Sequence, residues 1–132
     1  MITADSSVWI DYLAGRNTAA ATQLDAVLDD SSHDIVLLDV VLMGVLRGFR
    51  FDHEWRMARN AFSALPVLTA GGEVVASKAA NIYRSLRGEG VTVRSSIDLL
   101  IGAWCIEHEC SLIHSDRDFD AMPAHGLQFW SP

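Results

Sequence analysis

Three aspartates in this 132-residue chain follow or flank short apolar segments in a way that could do metal chemistry. Asp5 comes directly after Ile2 to Ala4. Asp116 comes two residues after the run Ser111 to His114, and Asp98 lies near the start of the otherwise apolar segment Ile97 to Ile101. In a parallel sheet covered by helices, ligands bind beyond the carboxyl ends of the strands, so acids at those points carry more weight than acids elsewhere. Taken singly, each has an ordinary structural explanation: Asp5 as a helix cap, Asp98 as an acid favoured by a helix dipole, Asp116 or Asp118 as a turn cap. Taken together, three carboxylates at one end of a sheet repel one another unless a cation lies between them. Hard oxygen donors without a His or Cys set suit Mg²⁺ or Mn²⁺, which bind through few carboxylates plus substrate phosphate. Such ions acidify a bound water and stabilise a leaving oxygen, the chemistry of phosphodiester hydrolysis.

Several other chemistries are excluded. Asp116, Asp118 and Asp120 start like a calcium loop, but the sixth position is Ala121 instead of Gly and the twelfth is Leu127 instead of Glu. Asp5-Ser-Ser-Val starts like the nucleophile motif of haloacid-dehalogenase phosphatases, yet their second Asp falls at Ser7. No Walker A or GxGxxG sequence is present, and Gly71-Gly72 is only a helix lead-in. Cys105 and Cys110 form neither a CxxC pair nor a zinc spacing and are expected as buried, reduced packing residues. Trp9, Trp55, Trp104 and Trp130 read as core or interface residues. His114 and His125 lack a partner spacing that marks a catalytic dyad and are left unassigned.

The elements that must position these acids alternate along the chain. Ile2 to Ala4 predicts a strand, followed by a helix with Ser6 or Ser7 at its N-cap and Gly15 at its close. Thr18 to Asp30 has helical spacing, and Ile35 to Leu38 reads as a buried strand. Asp39 is placed as the cap of a third helix running to about Leu46, ended by Arg47-Gly48. A fourth helix is expected over Asp52 to Ala64, a strand over Pro66 to Thr69, and a long amphipathic helix after Gly72 that Gly88 and Gly90 end. Ser95 or Ser96 caps the helix that carries Asp98, and strands follow at Ser111 to His114 and Leu127 to Trp130. Short apolar strands between helices give an α/β fold with a parallel sheet covered on both faces. With no repeat or linker, residues 1–132 are expected to form one domain.

Half the residues are hydrophobic and a fifth are charged, which is globular composition. The N-terminus has no signal-peptide pattern and the longest apolar stretch, Ile35 to Leu46, is broken by Asp39, so a cytoplasmic protein without a membrane segment is expected. A net charge of −7 argues against a diffuse nucleic-acid-binding surface. The basic residues are nevertheless nearly all arginine, grouped from Arg47 to Arg59 and from Arg84 to Arg94, which leaves room for a local phosphate-binding face.

Four blocks, ADSSVWIDYL (4–13), LLDVVLMGVLRGFR (37–50), TVRSSIDLLIGAW (92–104) and LIHSDRDFD (112–120), resemble in order and spacing the signature segments of VapC-type toxins of the PIN-domain ribonuclease family. The resemblance spans nearly the whole chain. It implies a three-layer α/β/α sandwich with a central parallel sheet, a Mg²⁺- or Mn²⁺-dependent endoribonuclease acting on structured RNA such as tRNA or rRNA, a homodimer, and a cognate VapB-type antitoxin. By the same resemblance Asp5, Asp98 and Asp116 match family acids, and Asp118 matches a more variable one. Arg47 and Arg94 are candidate phosphate contacts, against helix-end charge compensation. The second family acid is a Glu, and here that position is Gly44. Nothing in the local sequence asks for glycine inside this helix, where it costs about 1 kcal/mol relative to alanine. Gly44 is then either a deliberate replacement that silences a toxic ribonuclease or the mark of a naturally degenerate member. The corresponding functions are an attenuated endoribonuclease, or a catalytically dead PIN domain that binds antitoxin or RNA. A nuclease acting on DNA shares the same metal chemistry.

Overall fold

The computed structural model describes residues 1–132 throughout. Five short parallel strands are β1 (Ile2–Ala4), β2 (Leu37–Leu38), β3 (Val67–Leu68), β4 (Ser111–Ile113) and β5 (Gln128–Phe129). β1 pairs with β4 (Ile2 opposite Ser111), β4 with β5, and β2 with β3 (Leu37 opposite Val67), all parallel. A bridge between Ile2 and Ile35 joins the two groups: Ile2 N donates to Asp34 O at 2.8 Å and Val36 N to Ile2 O at 3.0 Å. The spatial order is therefore β3-β2-β1-β4-β5. The chain runs outward from β1 to one edge and then returns to build the other side through β4. That reversal falls between β1 and β4, and the carboxyl ends of strands at such a switch point are where sheets of this kind take ligands.

Six helices cover the sheet: α1 (Ser6–Leu13), α2 (Ala19–Asp29), α3 (Asp39–Leu46), α4 (Asp52–Ala61), α5 (Glu73–Gly88) and α6 (Ser96–Glu107). The result is the expected α/β/α arrangement. The central strands are largely buried, Ile2, Thr3 and Ala4 in β1 and Leu112 and Ile113 in β4, as a parallel sheet between helix layers requires. Thr3 satisfies its hydroxyl there by donating to Val36 O at 2.8 Å. Leu24, Leu37, Leu38, Phe62, Leu86 and Leu112 belong to the same core, and each fully buried side chain of this size contributes about 1.5–3 kcal/mol. No helix is long and apolar enough to cross a membrane.

Local details settle or correct the sequence reading in three places. Of the two readings for the cap of α1, Asp5 fills the place and Ser6 and Ser7 do not: its carboxylate accepts Val8 N at 3.2 Å, because Asp5, directly after β1, is still extended when the helix begins. Asp39 is the first residue of α3 rather than its cap. Its carboxylate accepts both Val40 N (2.8 Å) and Ala70 N (3.0 Å), tying α3 to the segment after β3. α4 stops at Ala61 instead of Ala64, since Phe62 turns into the core and Ser63 Oγ donates back to Asn60 O at 2.7 Å.

One glycine is demanded by a close approach. Gly102, in the middle of α6, faces the sulfur of the fully buried Met122, and a Cβ at residue 102 would overlap it. This contact holds the 3₁₀ turn at Met122–His125 against α6, and the neighbouring turn at Arg117–Phe119 follows directly from Asp116.

Candidate metal centre

α6 brings Asp98 to the carboxyl end of β4. Ser95 caps that helix, its hydroxyl accepting Asp98 N at 3.3 Å, which fixes the first turn and directs the Asp98 side chain toward the loop after β4. In that loop Asp116 accepts Asp118 N at 2.9 Å, a tight turn that folds the two carboxylates toward α6. Asp118 in turn accepts Arg94 N (3.3 Å) and Ser95 N (3.2 Å), so its side chain fastens the loop to the beginning of α6. The outcome is a group in which carboxylate oxygens of Asp98, Asp116 and Asp118 all lie within 4.8 Å of one another.

Asp5 stands beside this group at the end of β1, only 3% exposed. Besides capping α1, its two oxygens take the Ser7 hydroxyl at 2.9 and 3.1 Å, and Ser7 Oγ lies 3.0 Å from Ser115 Oγ. This serine pair links the loop after β1 to the loop after β4. Asp5 is the most buried of the four acids and has its acceptor sites engaged, while Asp118, the most variable by resemblance, belongs to the tight group.

The electrostatics reflect crowding of like charge. Burial, followed by the neighbouring carboxylates of Asp116 and Asp5 and a shared hydrogen bond with Asp118, pushes the Asp98 carboxyl up to about 7. Burial also raises Asp5 above the usual carboxylate range. The Ser7 and Val8 hydrogen bonds and the nearby His114 oppose that rise, and Asp116 adds to it. An all-oxygen donor set in which burial and neighbouring carboxylates raise Asp98 is one that a hard divalent cation would neutralise, so these residues fit such a cation.

The other predicted site residues spread more widely. Gly44 in α3 faces α1: a Cβ on residue 44 would come 3.0 Å from Ser6 Cβ and 3.1 Å from Ser6 Oγ. A side chain there would enter one residue from Asp5. The tightness is a tertiary reason for glycine that the local sequence does not disclose. Arg47 follows α3 on the exposed surface, and Arg94 is exposed at the start of α6. Neither pairs with a carboxylate side chain. Cys105 and Cys110 are free and buried, as expected. Sequence reasoning gave no role to Ser115 or His114. His114 Nδ1 lies 3.0 Å from Asp116 O, and its ring packs against Phe119 and Phe129 at centroid distances of 5.3 and 4.2 Å. Its position immediately after β4 was the available signal.

Fold and site together define a small α/β protein with an acidic centre at a topological switch point. The PIN domain family matches residues 2–124. The chain is 32% identical over 122 residues to a VapC ribonuclease of Mycobacterium bovis and to Ribonuclease VapC11 of Mycobacterium tuberculosis, covering 92% of this chain and 91% of each relative. It belongs to the PIN-domain family, as a VapC-type member. Solved structures agree in fold at lower identity. VapBC2 from Rickettsia felis, bound to a promoter DNA fragment, superposes with a TM-score of 0.76 at 15% identity, covering 99% of this chain and 100% of that one. FitAcB from Neisseria gonorrhoeae gives 0.73 at 17%, covering 100% and 98%. A toxin–antitoxin complex from Klebsiella pneumoniae gives 0.71 at 19%, covering 93% of each.

Proposed function

We propose that this chain is the toxin of a toxin–antitoxin pair, a metal-dependent endoribonuclease attenuated by glycine at position 44. The convergence of Asp98, Asp116 and Asp118 at the end of β4, beside Asp5, carries the reading. These acids would hold Mg²⁺ or Mn²⁺, which when bound supplies an acidified water and charge stabilisation at the scissile phosphate. The chain's own groups orient that site. Ser7 and Val8 N hold the Asp5 carboxylate, Arg94 N and Ser95 N hold Asp118, and the Asp98 carboxyl retains a proton near neutral pH that a cation would displace. A glutamate at 44 would add a carboxylate beside Ser6 and Asp5, completing the acidic set. The ribonuclease relatives support the RNA substrate, and the VapBC and other toxin–antitoxin complexes of the same fold support a cognate antitoxin as partner. The 132 residues act as one PIN domain.

A second reading, an inert module that binds antitoxin or RNA without cutting it, is favoured by one observation: α1 is packed so closely on Gly44 that a side chain there needs Ser6 to yield. Growth of a bacterial host separates the two. Induced Gly44→Glu protein is expected to arrest growth where this chain does so weakly, and adding Asp116→Asn is expected to abolish the arrest. Equal and unimpaired growth with all three, at matched levels of folded protein, would favour the inert module.

A further inference from the structure

Two helices beside the acidic centre enclose a cleft of about 420 Å³, within the range of roughly 300–1,000 Å³ typical of small-ligand sites. Tyr83 and Arg84 reach it from α5, and Arg94 and Ser96 from the start of α6, over an apolar floor that includes Ala79 and Leu99. No carboxylate lines it, in a chain of net charge −7. Neither Arg84 nor Arg94 has an acidic partner, and Tyr83 is 37% exposed. The combination is specific in its chemistry: an aromatic face and apolar floor for a planar ring, two unpaired guanidinium groups for phosphate, and a hydroxyl. Arg94 connects the cleft to the acids, since it lines the cavity and its backbone N–H donates to Asp118. A larger cavity of about 680 Å³ lies along α5 near His125, but its lysine, Lys78, is already paired with Glu107 at 2.7 Å and its wall carries Glu73, so it offers no comparable anion site.

We propose that the α5–α6 cleft is a nucleotide-binding subsite: Tyr83 stacks an unpaired RNA base while Arg84 and Arg94 hold its flanking phosphates. The nucleotide seated there is a near neighbour of the phosphodiester presented to Asp98, Asp116 and Asp118. Because the cleft takes a base by its face, the preferred substrate has a looped-out or single-stranded nucleotide next to the cut, consistent with how proteins usually read RNA. This inference rests on the ribonuclease reading and deepens it.

The test uses fluorescence anisotropy with a labelled single-stranded 12-mer RNA and a duplex of equal length, in MgCl₂, for this chain and its Tyr83→Ala, Tyr83→Phe and Arg84→Gln variants. Thermal melts confirm that each is folded, and Mn²⁺ binding is followed by electron paramagnetic resonance. Tyr83→Ala is expected to weaken single-strand binding about ten-fold and Tyr83→Phe by less than about two-fold, as a stacking role requires. Arg84→Gln is expected to lower the slope of log affinity against log salt by about 0.7, one phosphate contact on a single strand. Mn²⁺ binding stays as in the parent. Parent-like RNA binding by Tyr83→Ala and Arg84→Gln, while Asp98→Asn loses both metal and RNA, would overturn the subsite and leave the ribonuclease reading standing. Failure of every form, including Gly44→Glu, to bind or cut RNA would overturn both. A change in oligomeric mass on ultracentrifugation, with RNA binding unchanged, would instead identify the cleft as a contact between copies and also overturn the proposal.

Discussion

Replacing Asp98 with Asn should stabilise the metal-free protein, and more at pH 8 than at pH 4. The Asp98 carboxyl is pushed up to about 7 by burial and by Asp116 and Asp5, so the folded state holds a proton that the unfolded chain has released by about pH 4. The stability linked to that proton is full below the unfolded value, falls as pH rises, and is lost once pH passes about 7. Three pKa units correspond to roughly 4 kcal/mol, but the side chain is half-buried and water screens it, so about 1–2 kcal/mol is the reasonable expectation. At about 2.1 cal/mol/K of unfolding entropy per residue, that is a rise in Tm of roughly 4–7 °C at pH 8, and a degree or two at pH 4. Calorimetry in EDTA measures it directly. In millimolar MgCl₂ or MnCl₂ the parent should gain stability with rising pH, since a cation relieves at pH 8 the repulsion that a proton relieves at pH 4. Asp98→Asn should lose most of that gain. A variant that is destabilised equally at both pH values, or that keeps the parent's metal-induced shift, would refute the crowded-carboxylate reasoning.

Three further outcomes follow from other contacts. Ser7→Ala removes the hydroxyl that donates to Asp5, so the Asp5 carboxyl should titrate higher than in the parent by NMR, with stability lower by about 1 kcal/mol. Gly102→Ala forces a methyl group against the Met122 sulfur and should lower stability by about 1–3 kcal/mol, despite alanine's better helix propensity, in urea unfolding. Asp39→Ala leaves Ala70 N and Val40 N without their acceptor and should cost about 1–2 kcal/mol, with amide exchange at Ala70 accelerating first.

The positions of the strands and helices were legible because the strands lie in short, mostly apolar segments between turn residues and most helices carry a capping or periodic signal. Asp5, Asp98 and Asp116 were legible for a related reason: position after a strand or in a first helical turn is a local property. Relations between distant segments were not. Asp118 was singled out only by resemblance and by itself reads as a turn acid; its place beside Asp98 and Asp116 depends on the folding of its loop onto Arg94 and Ser95. The Ser7–Ser115 pair spans 108 residues, and the contact of Gly44 with Ser6 joins two helices whose crossing no periodicity encodes. The same holds for Gly102 and Met122. The cap of α1 stayed open among Asp5, Ser6 and Ser7, adjacent residues that are all competent acceptors, because only backbone geometry selects among them.

The most direct test of the acidic centre is cleavage of purified total RNA by Gly44→Glu protein, free of any inhibitor, with MgCl₂ or MnCl₂, alongside this chain and Gly44→Glu/Asp116→Asn. Discrete products from Gly44→Glu, much weaker from this chain, and lost with EDTA or with Asp116→Asn, are the expected result. A folded Gly44→Glu protein that cuts nothing, or cleavage that survives the loss of Asp116, would contradict a nuclease centre built on these acids.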